Sequence, residues 1–286
     1  MCPFMQFEQV SYQYPAQNEH VLTEVSFCLQ CGEFLGILGA DDSGKSTLAK
    51  LTNGLCLPSA GTITIAAWQL GADLKTLPAS QQQQILYQVR QKVGVVFADP
   101  ENQIVGTTVE EDVAFGLGNL GLPSAEIRRR VAFYLKQVGL DGYAARSPHK
   151  LSGGEQQKLC IAGILAMEPD GLVFNEPLTF LDNASRQEIL ALLQTIHASG
   201  KTIVYLSSSP EELSLAQRIL LLSHGKIAGE YHPTTLWNSP ALFEKIGLTP
   251  PDMIVLRGAL LAHGYPIHST CLTPEAIVAD ICSSRT

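Results

Sequence analysis

The first thirty-odd positions of the chain alternate apolar and polar side chains. Residues 7–15 (FEQVSYQYP) and 21–34 (VLTEVSFCLQCGEF) have a strand-like period of about two, and residues 15–18 between them have turn composition. Beyond this region the pattern changes to short, continuous apolar runs, which are typical of strands buried on both faces. These runs occupy residues 34–39, 93–97, 172–174 and 202–206, and helical patterns separate them. The sequence therefore predicts an α/β fold with a parallel sheet core and an additional antiparallel β layer.

A long helical stretch interrupts the predicted sheet. Residues 98–170 contain several helical patterns, so we interpret them as a helical insertion, or subdomain, between neighbouring strands. After a final β-like segment (KIAGEY), prolines divide the remaining chain into short helices. We place a domain boundary near Pro233, which gives a main domain at residues 1–232 and a small C-terminal helical segment at residues 233–286.

Composition and charge narrow the functional classes. The chain has 286 residues, of which 45% are hydrophobic and 16% charged, so it has enough apolar side chain to bury a core. The formal net charge of −8 argues against nucleic-acid binding driven by bulk electrostatics. No run approaches the roughly 20 apolar residues of a membrane span, and the N-terminus lacks a signal-peptide pattern. We expect a cytosolic protein whose seven cysteines are reduced thiols.

The strongest motif is GADDSGKS, at residues 39–46, which lies between a predicted strand and a predicted helix. It satisfies the phosphate-loop (P-loop) pattern of nucleoside triphosphatases. In such a loop, backbone N–H groups and a helix N-terminus surround the β-phosphate, so Lys45 would reach the β and γ oxygens and Ser46 would ligate Mg²⁺. The candidate ATP ligands are Gly39, Ala40, Asp41, Asp42, Ser43, Gly44, Lys45, Ser46 and Thr47.

Two further motifs follow in the second half of the chain. In LSGGE, residues 151–155, Ser152 is placed to cap a helix, although any helix start that follows a loop can look similar. In GLVFNEPLTFLD, residues 171–182, an apolar strand ends in Asn175 and Glu176. These positions suit a metal-coordinating group and a carboxylate that polarises the attacking water.

In this order and spacing, the three motifs resemble those of an ABC-transporter nucleotide-binding domain over about residues 5–230. The resemblance implies a P-loop NTPase fold, ATP and Mg²⁺ as cofactors, and Glu176 as the catalytic carboxylate. It also implies head-to-tail dimers, in which each ATP lies between one subunit's phosphate loop and the other's signature. Tyr14 would stack on adenine, although a strand tyrosine packed on the sheet is an alternative. The signature residues facing the partner's ATP would be Ser152, Gly153, Gly154 and Glu155, and Asp182 would be a further nucleotide-binding residue.

A finer resemblance concerns residues 102–121, residues 146–169 and the tail at residues 246–281. These segments are similar to ATP-binding subunits of energy-coupling factor (ECF) vitamin transporters and their cobalt- and nickel-importing relatives. The resemblance implies an ATPase at the cytoplasmic face of the membrane that drives uptake of a vitamin or transition-metal ion. Its partners would be a second ABC ATPase, contacted partly through the tail, a transmembrane coupling protein in a groove beside residues 98–112, and a membrane substrate-binding subunit.

The sequence departs from the family pattern at its own ATP site. Ala98 stands where the family has a glutamine, Asn175 where it has a metal-binding aspartate, and Ser208 where it has a switch histidine. Asp41 and Asp42 also place carboxylates near a triphosphate, and Asp42 is unfavourable if the loop needs positive φ there. We therefore expect a degenerate site, with Asn175 as a weak metal ligand, and a heterodimer with a more consensus-like partner. Tolerated substitutions with residual hydrolysis are the alternative.

Two other functions remain open. One is a non-catalytic structural or regulatory subunit of a heterodimeric ABC ATPase. The other is a soluble ABC ATPase that acts on nucleic acid or ribosomes, which the net charge of −8 disfavours. Cys28 and Cys31 form a C-x-x-C pair, but we expect no zinc site there, because residues three apart on a strand point to opposite faces.

Overall fold

The computed structural model describes residues 3–15, 19–265, 267 and 274–283. Part of the predicted turn at residues 15–18 and part of the predicted tail at residues 246–281 lie outside this range. The strands are β1 (Met5–Tyr12), β2 (Leu22–Leu29), β3 (Phe34–Leu38), β4 (Ala60–Ile65), β5 (Trp68–Gly71), β6 (Val93–Val96), β7 (Gly171–Asn175), β8 (Thr202–Ser207), β9 (Arg218–Ser223) and β10 (Lys226–Tyr231). The helices are α1 (Lys45–Thr52), α2 (Ala79–Lys92), α3 (Val109–Asn119), α4 (Ser124–Gln137), α5 (Gly153–Ala166), α6 (Asn183–Ala198), α7 (Pro233–Trp237), α8 (Pro240–Lys245), α9 (Asp252–Ala262) and α10 (Pro274–Ser283).

The predicted antiparallel layer is confirmed. It is a sheet of order β2-β1-β4-β5, in which β1 pairs antiparallel with both β2 and β4. Phe7 of β1 lies opposite Phe27 of β2, and their rings stack with centroids 4.5 Å apart. The inward residues of the alternating pattern, such as Val10 and Val25, are fully buried. Most polar residues of these two strands are exposed or half-exposed, as a sheet covered on one face requires, whereas Ser11 is buried.

The predicted parallel core is a second sheet, of order β10-β9-β3-β8-β7-β6. Strand β3 pairs in parallel with β8 and β9, and β7 pairs in parallel with β8 and β6. The hairpin of β9 and β10 is antiparallel and forms one edge. Because neighbouring parallel strands end at the same side of a sheet, the loops after β3, β7, β8 and β6 converge there.

The helical insertion comprises α3, α4 and α5, which lie between β6 and β7 along the chain. Their apolar faces meet through Val113, Leu117, Leu135 and Leu159, all buried in the main hydrophobic core. Thr108 begins α3 with a capping box, because its hydroxyl accepts from the Glu111 N–H and the Glu111 carboxylate accepts from the Thr108 N–H.

The chain after residue 232 continues into packed helices. Trp237 and Phe243, on α7 and α8, are buried in the same cluster as Ile219 and Leu221 of β9. Further on, Ile267 and Ile277 form a small separate cluster. The boundary between residues 232 and 233 stays a prediction. Within the described ranges, no helix is both long and apolar enough to cross a bilayer.

Candidate functional site: a nucleotide pocket at the ends of the parallel strands

The phosphate loop joins β3 to α1 in a conformation that depends on glycine. Gly44, directly before α1, has φ 104°, which L side chains rarely adopt. A Cβ at Gly39 would lie 2.6 Å from the carbonyl oxygen of Leu222. Lys45 folds back onto the loop, where its Nζ donates to Gly39 O at 2.8 Å and to Ala40 O at 2.7 Å. The loop is thus closed around a buried lysine ammonium.

Glu176 meets this lysine from the end of β7. Its Oε1 lies 3.0 Å from Lys45 Nζ, and the two side chains are 18% and 4% exposed. The backbone of Glu176 has φ 52° and its N–H donates to Leu206 O at 2.9 Å, which ties it to β8. A non-glycine residue held at positive φ is strained, and such strain is concentrated at functional sites. The predicted catalytic carboxylate and the predicted phosphate-binding lysine therefore share one site.

Asn175 and Ser46 bring a second pair of polar groups to this place. Asn175 Nδ2 donates to Ser46 Oγ at 3.2 Å, although the residues are 129 positions apart along the chain. Asn175 Oδ1 and Ser43 Oγ are buried and have no hydrogen-bond partner among the described residues. Because buried polar atoms are nearly always paired, these oxygens are available to a ligand or cation.

Lys45, Ser46 and Glu176 line a pocket of about 590 Å³. Tyr14 forms part of its wall, and its hydroxyl lies 3.2 Å from Thr47 Oγ1. Val21 is a lining residue that the sequence analysis missed, since a lone apolar residue at a strand start carries no motif. The lining residues in the described chain are Tyr14, Val21, Asp41, Asp42, Gly44, Lys45, Ser46, Thr47 and Glu176.

Asp41 and Asp42 are exposed residues of the pocket wall. Asp42 has φ 60°, so the loop does use positive φ at this position. Aspartate tolerates the left-handed region better than most residues but less well than glycine. The loop therefore carries both a conformational cost and added negative charge where a triphosphate would bind.

The signature segment begins α5 with a complete capping box, as predicted for Ser152. Ser152 Oγ accepts from the Glu155 N–H at 3.3 Å, and a Glu155 carboxylate oxygen accepts from the Ser152 N–H at 2.7 Å. This backbone hydrogen bond lowers the pKa of Glu155. In the described chain, these residues lie outside the wall of the 590 Å³ pocket. The phosphate loop and the signature segment of this chain therefore do not line one common pocket among the described residues.

The two signature glycines differ in their surroundings. A Cβ at Gly153 would meet only Leu181 Cδ2, at an ordinary 3.5 Å. A Cβ at Gly154 would lie 2.4 Å from Ser185 Oγ. Gly154 is therefore needed for packing within this chain, whereas Gly153 is free to serve a contact outside it.

Asp182 begins α6 as its N-cap residue. Its carboxylate accepts from the Ser185 N–H at 2.9 Å and from the Ser185 hydroxyl at 3.1 Å. The bond from the Ser185 N–H lowers the pKa of Asp182. The structure therefore places Asp182 as a helix cap, and it is absent from the described pocket wall.

Ala98 and Ser208 lie where the sequence placed them, after β6 and β8 respectively. The loop at Ala98 is braced by glutamines that sequence reasoning missed. Gln103 Oε1 accepts from the Phe97 N–H at 3.1 Å, and Gln157 Nε2 donates to Phe97 O at 3.0 Å. Both lie in helix-rich sequence, where a polar residue gives no sign of long-range bracing.

The C-x-x-C pair requires one correction. Cys28 is on β2, but the strand ends at Leu29 and Cys31 lies in the following turn, so strand alternation does not apply to the pair. Both residues line one pocket, which shares no lining residue with the pocket at the phosphate loop. No group of three or more metal-ligating side chains occurs in the portion of the chain that the structure describes.

Sequence comparison decides the family. The pattern of the family described as ABC transporter matches residues 22–179. The chain belongs to this family. The cobalt import ATP-binding protein CbiO of Syntrophus aciditrophicus is 38% identical over 279 residues, which are 98% of this chain and 96% of that protein. The energy-coupling factor transporter ATP-binding protein EcfA of Methanosarcina acetivorans is 40% identical, with 97% of each chain covered.

Solved structures agree with the sequence relatives. A structure of cbiO1 from Clostridium perfringens, part of the ABC transporter complex cbiONQ, matches with a TM-score of 0.73 and 29% identity. The match covers 90% of this chain and 99% of that one. A dimeric ATP-binding cassette in a post-hydrolysis state, bound to ADP and Pi, matches with a TM-score of 0.71 and 28% identity over 80% and 98% of the two chains. The expected P-loop NTPase fold is confirmed, and the second of these structures holds a nucleotide, ADP, together with Pi.

Proposed function

We propose that this chain is the ATP-binding subunit of an ECF-type importer, at the cytoplasmic face of the membrane, and couples ATP hydrolysis to uptake of a vitamin or transition-metal ion. The observation that carries the proposal is the joining of Lys45 and Glu176 in one pocket. Relatives named for cobalt import and for energy-coupling factor transport align with nearly the whole chain, which supports the choice of transporter class.

The pocket accounts for nucleotide binding. Backbone N–H groups of the phosphate loop and the N-terminus of α1 favour the phosphate charges. The ammonium of Lys45 already lies in the loop, and it would exchange its contact with Glu176 for phosphate oxygens. Tyr14, which also lines the pocket, offers an aromatic ring for adenine stacking.

A Mg²⁺ ion fits the residues present. Its preferred ligands are oxygens, and the site offers the Ser46 hydroxyl together with the unpartnered Asn175 Oδ1. When bound with ATP, the ion would neutralise charge on the phosphates. Asn175 supplies a neutral amide in place of the negative oxygen that a hard cation prefers, so we expect weak binding.

The hydrolytic role of this chain's own residues follows from their positions. Glu176 is held at the end of β7 by its backbone bond to Leu206, and its carboxylate can orient an attacking water and accept its proton. The ring nitrogens of a switch histidine and the amide of a glutamine are replaced by the hydroxyl of Ser208 and the methyl of Ala98. We therefore infer a degenerate site with slow turnover.

The signature segment would serve a partner's nucleotide. The exposed N-terminus of α5 presents N–H groups whose contact with a γ-phosphate needs a second subunit, since this chain's own pocket lies elsewhere. One weak site and one intact signature in the same chain favour a heterodimer with a more consensus-like ATPase. The other partners in the proposal are a transmembrane coupling protein and a membrane substrate-binding subunit.

Surface features agree with these partners. A groove of about 270 Å³ beside α3 exposes Val105 and Phe115, which are 60% and 56% exposed, and we assign it to the coupling protein. On the C-terminal helices, Val255 and Val278 are 51% and 59% exposed, and we assign this face to the partner ATPase. Exposed apolar residues of this kind are typical of interaction surfaces.

Purification of the tagged chain from membranes of its native cell tests the proposal. We expect it to co-purify with a second ABC ATPase and a polytopic membrane protein, and the complex to show ATPase activity stimulated by the transported solute. A monodisperse homodimer with full ATPase activity in detergent-free buffer would contradict the proposal.

The second candidate is a non-catalytic structural or regulatory subunit. The observation in its favour is that Ala98, Asn175 and Ser208 stand at the ends of three neighbouring parallel strands, where the resemblance implies a glutamine, an aspartate and a histidine. Single-turnover measurements on the assembled pair, with the partner's site inactivated, distinguish the candidates: residual hydrolysis supports a slow enzyme, and none supports a structural subunit.

A further inference from the structure

A buried carboxylate outside the nucleotide pocket lies beside the switch position. Glu212 is 7% exposed and lies in a short helical turn after β8. Its Oε2 accepts from the Ser207 hydroxyl at 2.7 Å and from the Tyr205 hydroxyl at 3.1 Å. Burying a charge without partners is costly, so a carboxylate kept here with two hydroxyl donors has a specific structural task.

Ser207 connects this carboxylate to the nucleotide site. Its carbonyl oxygen accepts from the Gly39 N–H, the first residue of the phosphate loop, at 3.3 Å. Its hydroxyl, besides donating to Glu212, accepts from the Ser209 N–H at 2.9 Å. Ser208, which occupies the switch position, therefore lies between Ser207 and Ser209, and the Ser207 hydroxyl holds both of these neighbours in place.

The same strand end also holds the catalytic carboxylate. Leu206, adjacent to Ser207, accepts the backbone N–H of Glu176 at 2.9 Å. Movement of the Ser207 backbone would therefore disturb the backbone hydrogen bonds of both Gly39 and Glu176. Because hydrogen-bonded networks in a low-dielectric interior are mutually strengthening, losing one member weakens the others.

A guanidinium group on α6 completes the network. Arg186 Nη1 lies 3.9 Å from Glu212 Oε1, and Arg186 Nε donates to Leu181 O at 3.0 Å. Leu181 lies against the Cβ position of Gly153 in the signature. Desolvation raises the pKa of Glu212, and nearby Glu176 acts in the same direction, while the two hydroxyl bonds and Arg186 oppose the rise.

We propose that Glu212 is a positioning residue for nucleotide binding: through the Ser207 hydroxyl it fixes the segment at residues 207–209 against the phosphate loop. The ligand is the nucleoside triphosphate already assigned to the pocket, so the inference rests on the proposed ATP binding but not on the transported solute. The role differs from a general contribution to folding, because only one of the two hydroxyl donors to Glu212 lies on the segment that contacts the loop.

This difference supplies a matched pair of variants. Ser207→Ala removes the hydroxyl that fixes residues 207–209, and Tyr205→Phe removes the other hydroxyl donor to the same oxygen while leaving that segment untouched. Both variants delete one hydroxyl group and one bond to Glu212. Their effects on the thermal unfolding midpoint are therefore expected to be similar.

Binding of ATP with Mg²⁺ to the full-length chain, measured by titration calorimetry, tests the inference. We expect the dissociation constant to rise about tenfold in Ser207→Ala and to stay within about twofold of the unchanged chain in Tyr205→Phe. Glu212→Ala should resemble Ser207→Ala, and Glu212→Gln, whose amide oxygen still accepts from Ser207, should restore most of the affinity.

Equal losses of affinity in Ser207→Ala and Tyr205→Phe would show that the network only stabilises the fold, and would overturn the inference. Unchanged affinity in Ser207→Ala would overturn it as well. The unchanged chain is measured in parallel, and if it bound no ATP, the proposed nucleotide site would fail together with the inference. Should Glu212→Ala not fold, the comparison of Ser207→Ala with Tyr205→Phe still decides the question.

Discussion

The phosphate-loop pocket and the signature segment differ in how closely each keeps the chemistry expected of an ABC ATPase. The pocket contains Lys45 and Glu176, 3.0 Å apart, whereas Ala98, Asn175 and Ser208 stand at the positions that we propose weaken this site. The signature segment retains both its capping serine and its glycines, and Ser152 closes a full capping box. A chain in which one half is altered and the other preserved is expected to contribute differently to the two ATP sites of a dimer.

The largest effect should come from the preserved half. Gly153→Asp places a carboxylate where the signature would approach the partner's γ-phosphate, and we expect turnover of the assembled complex to fall about 100- to 1,000-fold, as for loss of about 2.7 to 4 kcal/mol of oxyanion stabilisation. The measurement is steady-state ATPase activity. The chain should still fold, since a Cβ at Gly153 meets only an ordinary contact at 3.5 Å. Near-normal turnover would mean that the signature is not used.

A smaller and asymmetric effect is expected at the phosphate loop. Lys45→Ala in this chain should lower transport by less than about tenfold, whereas the corresponding change in the partner should lower it more than about 100-fold, because we propose that the site here is degenerate. Transport by reconstituted vesicles measures both. Lys92→Ala, which removes a lysine from the surface pair with Asp170, serves as the control. Equal and complete loss from both loop variants would refute the asymmetry.

The negative charge of the phosphate loop is expected to lower the affinity of this chain's pocket for ATP. Asp42→Asn removes one charge near the triphosphate, and we expect ATP to bind about fivefold more tightly, which corresponds to roughly 1 kcal/mol of relieved repulsion. Asp42→Gly also relieves the positive φ of 60° and should exceed the asparagine variant in thermal stability. Calorimetric titration and a melting curve separate the two contributions. Unchanged affinity in both variants would mean that Asp42 points its charge away from the phosphates.

The smallest effect is expected at the predicted catalytic base of this chain. Glu176→Gln should change turnover of the assembled complex by no more than about threefold, although a functioning general base usually contributes at least about 100-fold. Little rate should remain to be lost at a site without its glutamine, aspartate and histidine. If Glu176→Gln abolishes turnover and Gly153→Asp does not, the chemistry occurs in this chain's own site and the comparison is reversed.

The features that the sequence determined by itself are local. Three such features are the phosphate-loop spacing at residues 39–46, the cap at Ser152 and the end of β7 at Asn175. Each depends only on residues a few positions away in the sequence, through glycine conformations, N-caps or apolar runs. The antiparallel layer followed from period-two alternation because one of its faces is buried. These parts of the fold and of the site could therefore be predicted.

The tertiary structure decided which of these local features meet. Ser46 and Asn175 are 129 positions apart, and they come together only because β7 lies beside β8, and β8 beside β3, in the parallel sheet. The role of Glu212 could not be predicted, since an acidic residue after a strand is usually an exposed loop residue. Only the fold buries its carboxylate and brings the hydroxyl donors Tyr205 and Ser207 to it. Local chemistry is encoded over a few residues, but strand order and burial depend on the packing of the whole chain.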